Sequence, residues 1–219
     1  MTLTPDQLGM SVHDEGAPNL SDNYALPTVP NNEQLVWVNP KSVDYILRMK
    51  PNSLTKHPIT SFGHPVPGLI LPDEYIETGE LFLDNEEVKA LHGRYVKGLP
   101  WEETGYRKIY DKRRATLEDF KRAFPEWSNY QNDKLKAWDG LFENIKKSGY
   151  KAHKVPRKNI EVAVNKSGDV LFVDGKHRLY FAQLLGIESI PVIVNIWSEA
   201  LCSRTSEPGE PAELSTYIS

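Results

Sequence analysis

Cysteine is almost missing from this chain: Cys202 is the only one in 219 residues. An internal disulfide is therefore excluded, and so is a zinc site built on cysteine. Such usage fits a reducing compartment. A basic excess is lacking as well. Lys and Arg total 26 against 30 Asp and Glu, a formal charge of −4, which argues against non-specific wrapping of nucleic acid by the whole molecule. Nowhere do about 18 apolar residues run together, so no membrane span is expected. The opening Met1-Thr2-Leu3-Thr4-Pro5-Asp6-Gln7 lacks the basic start and apolar stretch of a signal peptide. A cytoplasmic protein is the expectation. The six histidines (His13, His57, His64, His92, His153, His177) show no metal-ligand spacing, and the chain contains no internal repeat.

Aromatic residues are plentiful, with 5 Trp, 10 Tyr and 7 Phe, which argues for a buried core. Both ends are rich in Pro, Ser, Asn, Asp, Glu and Gly without sustained period. Residues 1–33 and 199–219 are therefore read as flexible arms flanking one domain over 34–198. Leu35-Val36-Trp37-Val38 reads as a strand closed by Asn39-Pro40. Val43, Ile46 and Leu47, spaced i, i+3, i+4 after Pro40, predict a short helix. Residues 51–79 read as loop, with Gly68-Leu69-Ile70-Leu71 as a candidate strand. A helix capped by Asp84 or Asn85 runs to about Lys97. Trp101-Glu102-Glu103-Thr104-Gly105-Tyr106 reads as a loop. Thr116-Leu117-Glu118-Asp119 resembles a capping box opening a helix that Pro125 stops. Leu135, Trp138, Leu141, Phe142 and Ile145 stripe a longer helix from about Asn132 to Ser148. Together these make a helical region over about 80–150.

The last third carries the chemistry. Ile160, Val162 and Val164 alternate as a half-buried strand, and Asn165-Lys166-Ser167-Gly168 makes a hairpin turn. Val170-Leu171-Phe172-Val173 is a second strand. Asp174-Gly175 breaks it, a helix follows from Lys176 to about Leu185, and Ile190 to Trp197 is a third strand. Lys176-His177-Arg178 therefore stands at the opening of a helix. Unpaired N–H groups and the positive dipole end point outward there. Cationic residues at that pole call for a compensating anion, and a phosphate is the obvious one. Glycine at 175 would let a ligand approach the backbone.

Val170 to Arg178, with Ala182, Leu185-Gly186 and Ile190-Pro191-Val192, resembles the ParB/sulfiredoxin superfamily over about 40 residues (159–197). Its members share a strand, a Gly-x-x-Arg turn opening a helix, and an Ile-Pro-Val strand. The resemblance implies an α/β fold with a small mixed sheet, here interrupted by the helical region. It further implies a nucleotide, ATP or CTP, held with Mg²⁺, with Gly175, Lys176, His177 and Arg178 on the phosphates. Lys176 stands where sulfiredoxins carry their reactive Cys, so thiol chemistry is not expected. Phe181 stands where ParB proteins have Ala, and no helix-turn-helix follows Trp197. The Asp174-Gly175-Lys176-His177-Arg178 turn is most similar to that of the free-serine kinases. That resemblance implies phosphoryl transfer to a small hydroxyl-bearing substrate, with Asp174 and His177 as catalytic residues and Asp174 on Mg²⁺. The catalytic base of that group is a Glu outside the motif; Glu102, Glu103 and Glu161 are candidates.

Each of these readings has a plainer companion. Asp174 could be a helix cap, His177 a structural histidine. The basic run Lys146, Lys147, Lys151, His153, Lys154, Arg157 and Lys158 could be a solvated loop, or an anionic-substrate or nucleic-acid surface. Trp101 with Glu102 and Glu103 could be an acceptor-side platform or a buried aromatic at a helix junction. Three functions follow: an ATP-dependent phosphotransferase, a CTP-binding DNA-associated protein without transfer chemistry, and a structural protein that has lost catalysis.

Overall fold

The computed structural model describes residues 35–49, 67–155 and 158–205. Its strands are β1 (Val36–Val38), β2 (Tyr45–Met49), β3 (Leu69–Leu71) and β4 (Ile76–Leu81), then, after the helical region, β5 (Ile160–Val164), β6 (Val170–Asp174) and β7 (Ile190–Ser198). The helices are α1 (Glu86–Tyr95), α2 (Tyr106–Thr116), α3 (Glu118–Ala123), α4 (Trp127–Tyr130), α5 (Lys136–Ser148), α6 (Lys176–Leu184) and α7 (Glu199–Thr205). The seven strands form one sheet in the order β1-β7-β5-β6-β2-β4, with β3 also beside β7. The pairs β5/β7, β2/β6 and β3/β7 are parallel. The pairs β1/β7, β5/β6 and β2/β4 are antiparallel. The fold is α/β with a mixed open sheet, as expected, and α1 to α5 fall between β4 and β5 in the chain.

Both faces of the sheet centre are covered. Ile160, Val162, Val164, Phe172, Val192 and Val194 meet the helices in the main core. Ala163, Leu171 and Ile196 pack with Leu71 and Ile76 on the opposite face. This is why β5 is buried at every position, and the half-buried strand expected from its alternation is corrected. Polar Glu161 is only 7% exposed. The Asn195 amide donates to its Oε2 at 2.6 Å, as a buried carboxylate requires.

The middle of helix α6 is enclosed on all sides. Leu179, Tyr180, Phe181 and Ala182 are all buried. Phe181 meets Tyr95 of α1 and Phe142 of α5, with ring centroids 4.8 and 5.2 Å away. The large residue at 181 thus fills the joint between the helical region and the motif helix. Burial of a side chain this size is worth about 1.5–3 kcal/mol.

Four further expectations are corrected. The helix predicted after Pro40 is one 3-10 turn, Pro40–Ser42, capped by the Asn39 side chain accepting from Lys41 N at 3.0 Å. Ile46 and Leu47 instead belong to β2, which lies parallel to β6. A three-residue apolar pattern cannot distinguish the two, and the open edge of β6 decided it. The stretch around residue 76, read as loop, contains β4, a largely polar strand that among the described residues pairs with β2 alone. Gly79 permits that pairing, since a Cβ there would stand 2.6 Å from Ile46 O. The capping box at Thr116 is absent: its hydroxyl donates to Lys112 O at 2.9 Å, at the end of α2. The expected C-terminal arm begins instead with α7, whose Leu201 and Cys202 are 3% and 6% exposed. Burial, then Glu199, pushes the Cys202 thiol up to about 11, so it is no reactive thiolate.

From Trp127 to Ser148 the chain is helical throughout, α4 passing into α5 through a π segment, Gln131–Leu135. The wider turn brings Tyr130 and Trp138 into one aromatic cluster with Tyr106, at 6.1 and 5.2 Å from its ring. Among the described residues, no helix is long and apolar enough to cross a membrane.

Candidate functional site

Strand β6 ends at Asp174, the chain turns at Gly175 with φ +93°, and α6 begins at Lys176. The first intrahelical bond runs from Leu179 N to Gly175 O at 3.1 Å. Among the described residues no side chain caps the helix, so Asp174 does not serve as its cap. The N–H groups of the first turn have no acceptor among the described residues.

Gly175 is required by packing as much as by conformation. A Cβ there would lie 3.0 Å from Arg178 Nη2 and 3.1 Å from Ile160 Cα and Cγ1. The protein's own arginine and strand make a close approach at this glycine, a second reason for it. The Arg178 guanidinium donates through Nη1 to Lys158 O, and through Nη2 to Asn159 O at 3.2 Å. These acceptors are neutral carbonyls, so the arginine is fixed in place, and no carboxylate among the described residues forms an ion pair with it. The guanidinium also hydrogen-bonds with the Tyr150 side chain, and with five N–H donors it retains others beyond these bonds.

Beside the turn lies a cleft of about 440 Å³, lined by Asp174, Gly175, Lys176, His177 and Arg178 and by Glu87, Arg113, Trp138 and Leu141 from the helical region. Glu87 is the central feature that the sequence did not reveal. It sits in the first turn of α1, where Asn85 Oδ1 accepts from its N–H at 3.1 Å. Its carboxylate accepts from Arg113 Nη2 and from the Tyr106 hydroxyl at 3.3 Å, and lies 3.5 Å from Lys176 Nζ. Burial, then the Glu87 charge, pushes the Tyr106 phenol far above its ordinary range.

His177 does not add the positive charge expected of it. Its ring stacks on Trp138 at 3.8 Å. Burial first, then the charges of Lys176, Arg113 and Arg178, bring its pKa down to about 3. The imidazole is neutral near pH 7, with Nε2 buried and without a hydrogen-bond partner among the described residues. So weak a base is poorly suited to taking a proton at neutral pH. The cations of the cleft are Lys176, Arg178 and, from α2, Arg113.

The remaining candidates lie elsewhere. Trp101 is 6% exposed, and its indole donates to Asp139 Oδ2 at 3.3 Å. It is a core residue, not a ligand platform. Glu102 and Glu103 are exposed on the turn Trp101–Glu103, where Glu102 accepts from the Gln131 amide, and neither lines the cleft. Lys154 and Lys158 are exposed at the approach to β5, also outside the cleft lining. Arg157 lies outside the described residues. Glu161 is buried in the sheet, bonded to Asn195. Among the described residues, no group of three His, Cys, Asp or Glu is placed to hold a metal ion. Asp174 is exposed at the strand end. Mg²⁺ bound mainly by phosphate oxygens and water needs only one or two carboxylates, so Asp174 suits that lesser role.

No family model matches the chain, and neither a curated protein nor a solved structure matches it.

Proposed function

We propose that this chain binds a nucleoside triphosphate with its phosphates over the Gly175–Arg178 turn, and acts as an ATP-dependent phosphotransferase on a small hydroxyl-bearing molecule. The observation that carries the reading is the uncapped start of α6 opening onto a cleft of about 440 Å³ with Lys176, Arg113 and Arg178 around it. The first-turn N–H groups and these cations offer what a triphosphate needs. The resemblance of the Asp174–Arg178 turn to the free-serine-kinase type adds the reaction class.

In the transfer, the acceptor hydroxyl oxygen forms a bond to the γ-phosphorus. The bond from that phosphorus to the β,γ-bridging oxygen breaks, ADP leaves, and the hydroxyl proton is released to solvent water. Lys176 and Arg178 offset the phosphate charge. Asp174 would hold Mg²⁺, which would supply positive charge to the triphosphate. Trp138 and Leu141 give the cleft an apolar wall that excludes water from one side.

The test is incubation of purified protein with Mg²⁺ and ATP or CTP, following ADP, CDP and free phosphate. ADP formed only when a hydroxyl compound is added supports the phosphotransferase. A second reading, CTP binding linked to DNA, draws on the exposed Lys146, Lys147, Lys151 and Lys154; CTP turnover stimulated by DNA would favour it. Absence of any thermal shift with either nucleotide would leave a structural protein.

A further inference from the structure

The cleft carries an anion of its own. The Glu87 side chain is only 12% exposed and faces both Arg113 and Lys176. Its partners are not equally committed to it. Arg113 and the Tyr106 hydroxyl donate hydrogen bonds to it. Tyr106 is fully buried and cannot leave. Lys176 approaches only to 3.5 Å, beyond ordinary charge-assisted hydrogen-bond length. Its side chain is 21% exposed, lines the cleft and is carried on a flexible stem. Lys176 is therefore the partner that can change hands.

We infer that Glu87 is a specificity-determining residue: a ligand must take Lys176 from a resident carboxylate, so the cleft admits polyphosphate chains and disfavours small single oxyanions. The inference rests on the phosphate-binding reading above. A small oxyanion beside Lys176 replaces one anionic partner by another and meets repulsion from Glu87 and Asp174, both of which line the cleft. The lining holds three cations, Arg113, Lys176 and Arg178, against these two carboxylates, and His177 is neutral. The net attraction for a small anion is thus modest. A chain of linked phosphates reaches Lys176, Arg178 and the first-turn N–H groups together. It offsets the exchange by multiple contacts, while Glu87 keeps Arg113 and Tyr106.

The experiment is calorimetric titration of the full chain with sodium tripolyphosphate and with sodium sulfate at fixed ionic strength. It compares wild type, Glu87→Gln and Lys176→Met. Wild type is expected to prefer tripolyphosphate. Glu87→Gln should narrow that preference by about tenfold, mainly through tighter sulfate, because a nearby like charge is removed. Lys176→Met should weaken tripolyphosphate by about tenfold and sulfate less. An unchanged or wider preference in folded Glu87→Gln overturns the inference and leaves the phosphate-binding reading standing. Should Glu87→Gln not fold, Lys176→Met decides, because there Glu87 retains Arg113 and Tyr106; tripolyphosphate bound at wild-type affinity overturns the exchange. Failure of wild type to bind either anion removes the phosphate-binding reading itself, and the inference with it.

Discussion

His177 lies nearly face to face with Trp138, their ring centroids 3.8 Å apart and their planes 25° from parallel. Burial first, then the charges of Lys176, Arg113 and Arg178, hold the imidazole at a pKa of about 3, against 6.5 for a free histidine. The unfolded chain takes up this proton as pH falls past about 6.5, whereas the folded chain resists until about 3. Stability from the neutral ring is therefore complete above that window and is lost as pH falls through it, by up to about 1.4 kcal/mol per pH unit. His177→Phe keeps a stacking ring and removes the titration. Urea unfolding at pH 7 and pH 5 should show a smaller acid loss in the variant than in wild type. An equal loss would mean that the folded protein accepts the proton.

Gly175→Ala should destabilise the protein by about 2–4 kcal/mol, combining the left-handed backbone cost with overpacking. The added methyl would press on Arg178 Nη2 at 3.0 Å and on Ile160 at 3.1 Å. Neither is free to move away, since Arg178 is held by two carbonyls and Ile160 is fully buried in β5. Chemical denaturation measures this directly. Tolerance of Ala at wild-type stability would contradict the packing described.

Arg178→Lys is expected to behave as a damaging change despite retaining the charge. A single ammonium cannot reproduce the guanidinium fork on Lys158 O and Asn159 O. A loss of about 1–3 kcal/mol follows from the unmet carbonyls. Arg178→Ala should also abolish nucleotide binding, measured by thermal shift with ATP. Wild-type nucleotide affinity in Arg178→Ala would remove this residue from the proposed site.

Asp139→Ala tests the joint between the helices that build the cleft wall. Its carboxylate accepts from Arg94 Nε and Nη2 at 3.3 and 3.0 Å, from the Tyr95 hydroxyl at 2.9 Å and from the Trp101 indole at 3.3 Å. Removing the shared acceptor leaves four donor groups on three residues unmet, and unfolding free energy should fall by about 2–3 kcal/mol. Circular dichroism during urea titration gives the value; a change within ~0.5 kcal/mol would refute the hub role.

Local sequence determined the elements whose signals are local. The hairpin at Asn165–Gly168, the glycine bend at 175 and the apolar run of β7 each follow from turn chemistry or side-chain type over a few residues. So does Asn85 capping α1. Their placement is legible because it depends on neighbours in the chain. Tertiary structure alone decided the rest. Ile46 and Leu47 became strand because β6 offered an open edge, and polar β4 became strand because β2 did. Cys202 and Leu201 were buried by packing that composition cannot signal. Above all, Glu87, Arg113 and Lys176 are separated in sequence by 26 and 63 positions, as the chain numbering shows, and form one charge cluster only because α1, α2 and α6 converge there. Coulomb interactions act through space rather than along the chain, so no periodicity or motif could have announced that carboxylate.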